Sequence, residues 1–242
     1  MKNILITGVS KGLGLATAEL FLKSGYNVYG ISRTKSVEVE KLLKEYPLNF
    51  FWKSVDLADK QNDVHKEIFK EFINNKIPID GFVNNAAIAY DDIITNLNVS
   101  KLEEMFYANV FNPMVLTKYV LRNMLFNKLK GSIVHISSIS VHTGYKGLAM
   151  YASTKGALEA FSKNTAREWG ELGIRSNAIV AGFMETNMSS TLSDDQKNRI
   201  YNRNSLKKPT TLQSVAETIL FLIEDKSASI TGQNIFVDSG TI

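Results

Sequence analysis

A doubly wound parallel α/β sheet in a single domain is the fold that this sequence predicts. Three observations point to it. Short apolar runs alternate with longer stretches of helical period along the whole chain. A glycine-rich turn follows the first run at once, and a helical stretch follows the turn. No linker, repeat or low-complexity segment divides the 242 residues, and a composition of 44% hydrophobic and 21% charged residues is ordinary for a globular domain.

The first run, NILIT, reads as a buried strand. TGVSKGLG comes next, and then LATAELFLKSGY, whose helical period ends at Gly25. In such a turn Gly8 permits the tight bend, Gly12 lets the backbone approach a pyrophosphate, and Gly14 lets the helix pack closely on the strand. The helix N-terminus offers N–H groups and a dipole to phosphate. The spacing is Gly-x-x-x-Gly-x-Gly, not the more common Gly-x-Gly-x-x-Gly. Six more strands follow as NVYGI, FFWKSV, GFVNNA, GSIVHIS, RSNAIV and NIFVD. Between them lie helices, including one through KLEEMFYANVFNPMVLTKYVL and another through MYASTKGALEAFSKNTAREW. Residues 185–212 read as one long irregular polar stretch, of the kind that covers active sites.

Tyr151 and Lys155 stand four apart on the second of those helices, so they share a face. A cation beside a phenol favours the phenolate and lowers the phenol pKa, which suits a general acid or base. Ser138 closes the GSIVHIS run and could hydrogen-bond a substrate oxygen. Alone, Tyr-x-x-x-Lys is a weak pattern that a solvated helix face also produces. The upstream serine and the glycine turn give it weight.

Other functions find little support. There are no cysteines, hence no disulfide, thiolate metal site or thiol nucleophile. His65 and His142 lack partners at ligand spacing, and His135 alternates with the core face of its strand as a structural residue, so no metal is expected. A net charge of +4 spread along the chain lacks the dense basic face of a nucleic-acid binder. MKNILI is too short for a signal-peptide core, and no apolar run nears the roughly 20 residues of a membrane span. The expectation is a cytoplasmic protein with neither membrane nor nucleic-acid partner.

These motifs together resemble the short-chain dehydrogenase/reductase family. TGVSKGLG resembles its cofactor turn, Asp56-Leu57 its acidic position near the adenine, and Asn84 to Ala87 its NNAG. Asn109, Ser138, Tyr151 and Lys155 fall on its catalytic tetrad. AGFMETNM resembles its PG…T segment, and ITGQNIFVDSG its last strand. The resemblance implies a Rossmann-type seven-stranded sheet in order 3-2-1-4-5-6-7 with helices on both faces. It implies a dinucleotide-binding part at about residues 1–130 and a catalytic part with lid at about 131–242. The implied cofactor-binding residues are Gly8, Ser10, Lys11, Gly12, Leu13, Gly14, Ser32, Arg33, Asp56, Leu57, Asn84, Ala86, Tyr151, Lys155, Met184 and Thr186.

Cofactor choice turns on position 32, about 20 residues past the glycine turn, where an NAD enzyme places Asp or Glu. Here Ser32 precedes Arg33, and Lys11 lies inside the turn. Two cations attract the 2′-phosphate of NADP. NADP(H) is therefore the expected cofactor, with NAD(H) second. By the resemblance, Tyr151 protonates a carbonyl oxygen that Ser138 also binds. Lys155 lowers the pKa of Tyr151 and holds the nicotinamide ribose. Asn109 holds a relay water, and Thr186 and the backbone at Met184 meet the carboxamide.

The whole pattern is most similar to 3-oxoacyl-[acyl-carrier-protein] reductases, which implies a 3-oxoacyl thioester substrate and acyl-carrier protein as partner. Leu129 and Leu172 stand where those reductases carry docking arginines, with Lys128, Lys130 and Arg175 beside them. Ala87, Ala181 and Ser239 replace Gly, Pro and Gly of the family motifs. A small ketone, sugar or polyol is the alternative substrate. A non-catalytic dinucleotide binder is the alternative of another class. Apolar residues on the helices near 101–125 and 152–169, among them Met105, Phe106, Phe111, Phe161 and Trp169, suggest a homodimer or homotetramer, as the family forms.

Overall fold

A computed structural model describes residues 1–61, 63–74, 76–186 and 193–242. The strands are β1 (Asn3–Thr7), β2 (Asn27–Ser32), β3 (Phe50–Ser54), β4 (Gly81–Asn84), β5 (Ser132–Ser138), β6 (Arg175–Ala181) and β7 (Asn234–Val237). They form one sheet in the order β3-β2-β1-β4-β5-β6-β7, with every pair parallel. This is the predicted topology. The order reverses between β1 and β4, and the crevice beyond the strands' carboxyl ends at such a point is where open α/β sheets bind ligands.

Parallel strands covered on both sides read as continuous apolar runs, and β1 is buried at all five positions. Alternation sends its side chains to two cores. Ile4 and Ile6 join Phe21, Val215 and Ile219 on one face, where α1 (Gly12–Lys23) packs against α8 (Leu212–Ile223). Leu5 joins Phe82, Leu116, Val120 and Ile133 on the other, under α4 (Asn112–Phe126). Among the described residues the remaining α-helices are α2 (Val37–Glu45), α3 (Val99–Phe106), α5 (Ser140–Thr143), α6 (Ala149–Trp169) and α7 (Asp194–Arg203), and a π-type helix spans His65–Phe72 between β3 and β4.

One expectation gains detail and one needs correction. The helix expected over residues 101–121 is present as one continuous run, α3, then a π-type turn over Tyr107–Phe111, then α4. Pro113 explains the π-type turn. It has no N–H to give the carbonyl four residues back, and its ring crowds that carbonyl. The ladder widens instead, with the Asn112 N–H reaching Tyr107 O. The 185–212 stretch is not irregular throughout, because it contains α7. Ser193 and Gln196 close a capping box, and Asp194 and Asp195 lie in the first turn. Residues 187–192 of the expected lid lie outside the described residues.

Candidate active site

The glycine turn joins β1 to α1 as expected. Gly8 and Gly12 take positive φ, 78° and 59°. A Cβ on Gly14 would lie 2.1 Å from Gly8 O, so only glycine fits there. Lys11 is the N-cap of α1 and makes no side-chain cap, and no acid lies in the first turn. With no side-chain cap from Lys11 and no acid in the first turn, the start of this twelve-residue helix offers N–H groups and a positive dipole end that fit a diphosphate. Thr186 Cγ2 would come within 3.7 Å of a Cβ on Gly12, so the two lie across from each other.

Sequence reasoning missed what fixes this turn. Thr7, fully buried, accepts at Oγ1 from Asn85 N (3.0 Å) and Ala86 N (2.9 Å). Asn85 Nδ2 donates back to Thr7 O at 2.9 Å. The NNAA segment is therefore strapped to the glycine turn through Thr7 and Asn85. The Asn84 side chain turns away, with Nδ2 3.1 Å from His135 Nδ1 inside the sheet. His135 is kept neutral, its pKa pushed down to about 3 by burial and then by Lys155.

Ser138, Tyr151 and Lys155 belong to β5 and α6, which pack together. Ser138 Oγ accepts from Ser140 N (3.2 Å) and Ser140 Oγ (3.0 Å). Lys155 is 2% exposed and donates from Nζ to Ile136 O at 2.8 Å. Its Nζ lies 5.6 Å from the centre of the Tyr151 ring, so the shared helix face is present. The expected electrostatics are not. Burial first, and the Asp91 carboxylate second, push the Tyr151 phenol above its ordinary value. Burial pulls the Lys155 ammonium down to about 8.

Asn109 lies in the π-type turn, fully buried. Its Oδ1 accepts from Ile88 N (2.9 Å), and its Nδ2 donates to Ile88 O (2.8 Å) and Thr154 Oγ1 (3.1 Å). The side chain is thus engaged with protein, and any water held by this residue falls to its carbonyl. That carbonyl is the one to which Pro113 has no N–H to give.

Arg33, just after β2, and Lys11, at the start of α1, are both exposed, as a phosphate site needs. Ser32 is not available as expected. It is buried, donates to Thr34 O (3.0 Å) and accepts from Trp52 Nε1 (2.8 Å). Ser10 O accepts from Ser36 Oγ at 2.8 Å. Asp56 caps its own turn through Ala58 N, and Leu57 O accepts from Asn112 Nδ2. Leu13 is buried, whereas Ala86, Met184 and Thr186 are half-buried.

A second cluster escaped the sequence. Glu159, 6% exposed, stands one turn beyond Lys155 on α6. Its carboxylate accepts from Ser137 Oγ (2.5 Å) and Asn234 Nδ2 (2.6 Å) and meets His142 Nε2 at 3.0 Å. His142 therefore has a partner, though not one that sequence spacing could reveal. Arg175, considered for partner docking, donates to Glu224 O (3.1 Å) and Ile230 O (3.5 Å) instead.

The parallel sheet, the glycine turn at the start of α1 and the Tyr151–Lys155 pair on α6 describe a dinucleotide-dependent oxidoreductase. Comparison with known proteins agrees. A family model described as enoyl-(acyl carrier protein) reductase matches residues 8–241. The chain belongs to this short-chain dehydrogenase/reductase family. It is 31% identical over 242 residues to the 3-oxoacyl-[acyl-carrier-protein] reductase FabG of Staphylococcus epidermidis, covering 99% of this chain and 98% of the relative. It is 32% identical to Carbonyl reductase [NADPH] 2 of Sus scrofa, over 98% of this chain and 94% of that one. Among solved structures, 4-hydroxyisoleucine dehydrogenase complexed with NADH superposes with a TM-score of 0.93 at 26% identity, over 100% and 98% of the two chains.

Proposed function

We propose that the protein is an NADP(H)-dependent ketoreductase that converts a ketone to a secondary alcohol, with a 3-oxoacyl thioester as the best-supported substrate. The observation that carries this is the placement of Tyr151, Lys155 and Ser138 on α6 and β5 beside the switch point. The names of the relatives support it: one is a 3-oxoacyl thioester reductase and another a carbonyl reductase using NADPH. The NADH-bound neighbour keeps NAD(H) as the second cofactor.

A bound nicotinamide dinucleotide supplies the hydride. Gly8, Gly12 and Gly14 shape the turn that receives its diphosphate, with Ser10, Lys11 and Leu13 around them. Arg33 and Lys11 offer charge to the 2′-phosphate. Met184 and Thr186 lie on the loop after β6, where the carboxamide would be held. Tyr151 hydrogen-bonds the substrate oxygen and gives up its proton as negative charge grows there. A phenol pushed up by burial keeps its proton until that moment, and an alkoxide is a strong enough base to take it. Ser138 provides a second hydrogen bond. Lys155 gives one of its three N–H groups to Ile136 O, which leaves two for the ribose and the proton path. Asn109, through its carbonyl, holds the water that reprotonates the site.

Assembly into a homodimer or homotetramer belongs to the same reading. Phe111, Val115 and Phe126 on and beside α4 are exposed, at 53%, 37% and 81%, as is Phe236 on β7 at 43%. Met105, counted with them from sequence, is core. Oxidation of NADPH with a 3-oxoacyl thioester, beside simple ketones and keto-sugars, tests the function. Fast thioester turnover supports it and directs mutation to Lys128 and Lys130 for carrier-protein docking. Activity confined to small ketones removes the thioester and the carrier protein. No turnover of any of them, with NADPH bound, removes the enzyme.

A further inference from the structure

We propose that Trp52 on β3 is a cofactor-selectivity residue. By binding the Ser32 hydroxyl it withdraws that group from the adenine ribose and holds the loop after β2 in the shape that presents Arg33 to a 2′-phosphate. This rests on the NADP(H) reading above and extends it to a side chain outside both the glycine turn and the basic loop.

The register makes the contact possible. Gly30 lies directly across from Trp52, and Ser32 across from Ser54. Residues two apart on a strand share a face, so Gly30, Ser32, Trp52 and Ser54 line one face of the β2–β3 pair. Gly30 carries no side chain, and the indole reaches diagonally past it to Ser32. The indole N–H donates to Ser32 Oγ at 2.8 Å. A hydroxyl has one proton, and that of Ser32 goes to Thr34 O at 3.0 Å. A nicotinamide dinucleotide without the 2′-phosphate needs a partner for its ribose hydroxyls at this position. Here the group is buried at 6% exposure and bonded on both sides.

The same bonds fix the backbone that carries Arg33. The Ser32 bond to Thr34 O closes a turn around residue 33. Ser54 Oγ donates to Arg33 O at 2.9 Å. Ser36 Oγ donates to Ser10 O at 2.8 Å and ties the loop to the glycine turn. Lys35 lies with Nζ 5.9 Å from the Trp52 ring centre and 3.9 Å from Glu40, a weak second hold on the indole. Arg33 is exposed at the end of this brace. A planar guanidinium gains its bidentate geometry only when its backbone is fixed.

Two variants test this. Trp52→Phe keeps a ring and removes the N–H. Ser32→Ala removes the hydroxyl that the N–H binds. Calorimetric Kd values for NADP+ and NAD+ are measured on wild type and both variants, with no substrate present. In each variant the NADP+ Kd should weaken about five- to tenfold, the factor one net hydrogen bond makes, while the NAD+ Kd stays within about twofold in Ser32→Ala and is unchanged or tighter in Trp52→Phe, which releases the Ser32 hydroxyl. Equal weakening of both nucleotides would show a merely structural brace and overturn the proposal, as would an unchanged ratio in a wild type that prefers NADP+. A wild type with no preference removes the NADP(H) reading itself, and the proposal with it. If Trp52→Phe fails to fold, Ser32→Ala alone decides between these outcomes.

Discussion

Replacing Lys155 by methionine should stabilise the nucleotide-free protein near neutral pH while abolishing turnover. Lys155 is 2% exposed, and burial pulls its ammonium from the ordinary 10.5 to about 8. One pKa unit corresponds to ~1.4 kcal/mol, so keeping the charge inside costs the fold ~3 kcal/mol at neutral pH. Methionine fills a similar volume without charge. It leaves Ile136 O without its donor, which costs about 1–3 kcal/mol. The net gain is roughly 1 kcal/mol, a few degrees in Tm for a chain of this length.

The pH dependence carries the sign. The folded pKa lies below the unfolded one, so between about 8 and 10.5 the unfolded chain holds more protons. As far as this group is concerned, wild-type stability rises with pH across that window, and the penalty is fully present below it. The variant has no such dependence. Its advantage should be greatest around pH 7 and shrink by roughly 2 kcal/mol by about pH 9.5. Urea denaturation of both proteins at the two pH values measures this. A difference that does not change with pH would refute the buried ammonium, and a variant with undiminished ketone reduction would refute its part in the chemistry.

Three further outcomes are expected. Tyr151→Phe should bind NADPH as the wild type does and lose turnover by about a hundredfold or more; surviving turnover, measured by NADPH oxidation, would mean another group is the acid. Ser239→Gly should stabilise by roughly 0.5–1 kcal/mol, because Ser239 holds φ at 58°, where a side chain is strained, and loses only a 3.3 Å contact with Thr210; a lower Tm would contradict this. Glu159→Gln should destabilise by about 2 kcal/mol, since an amide cannot accept from both Ser137 and Asn234 at their present positions; an unchanged denaturation midpoint would show the cluster to be dispensable.

Much of the fold was legible because its signals are local. Seven apolar runs became seven strands, and their order came from the crossover rule together with the family resemblance. Tyr151 and Lys155 announced themselves because helical spacing alone puts them on one face. Ser239 was legible as a replaced glycine, and its positive φ gives the physical reason a glycine suits that position. The capping box of α7 was also readable, as Ser193 followed by Gln196, but the polar composition around it hid the signal. Pro113 was visible in the middle of a helical pattern and was passed over, although a proline there ends or widens the ladder.

What the sequence could not show are partnerships between distant elements. Thr7 and Ala86 are 79 positions apart and meet through a single hydroxyl. Glu159 gathers Ser137, His142 and Asn234 from β5, the segment after it and β7. The same limit explains the misjudged electrostatics of Tyr151. Spacing shows that a lysine is near, and charge then argues for a lowered phenol pKa. Burial acts on both groups in the opposite sense, and only the packed fold sets its size. With the phenol pushed up and the ammonium pulled down, the site in its empty form favours a neutral tyrosine. That protonation state suits delivery of a proton to a reduced carbonyl better than removal of one from an alcohol, which is why the reductive direction is the one to assay first.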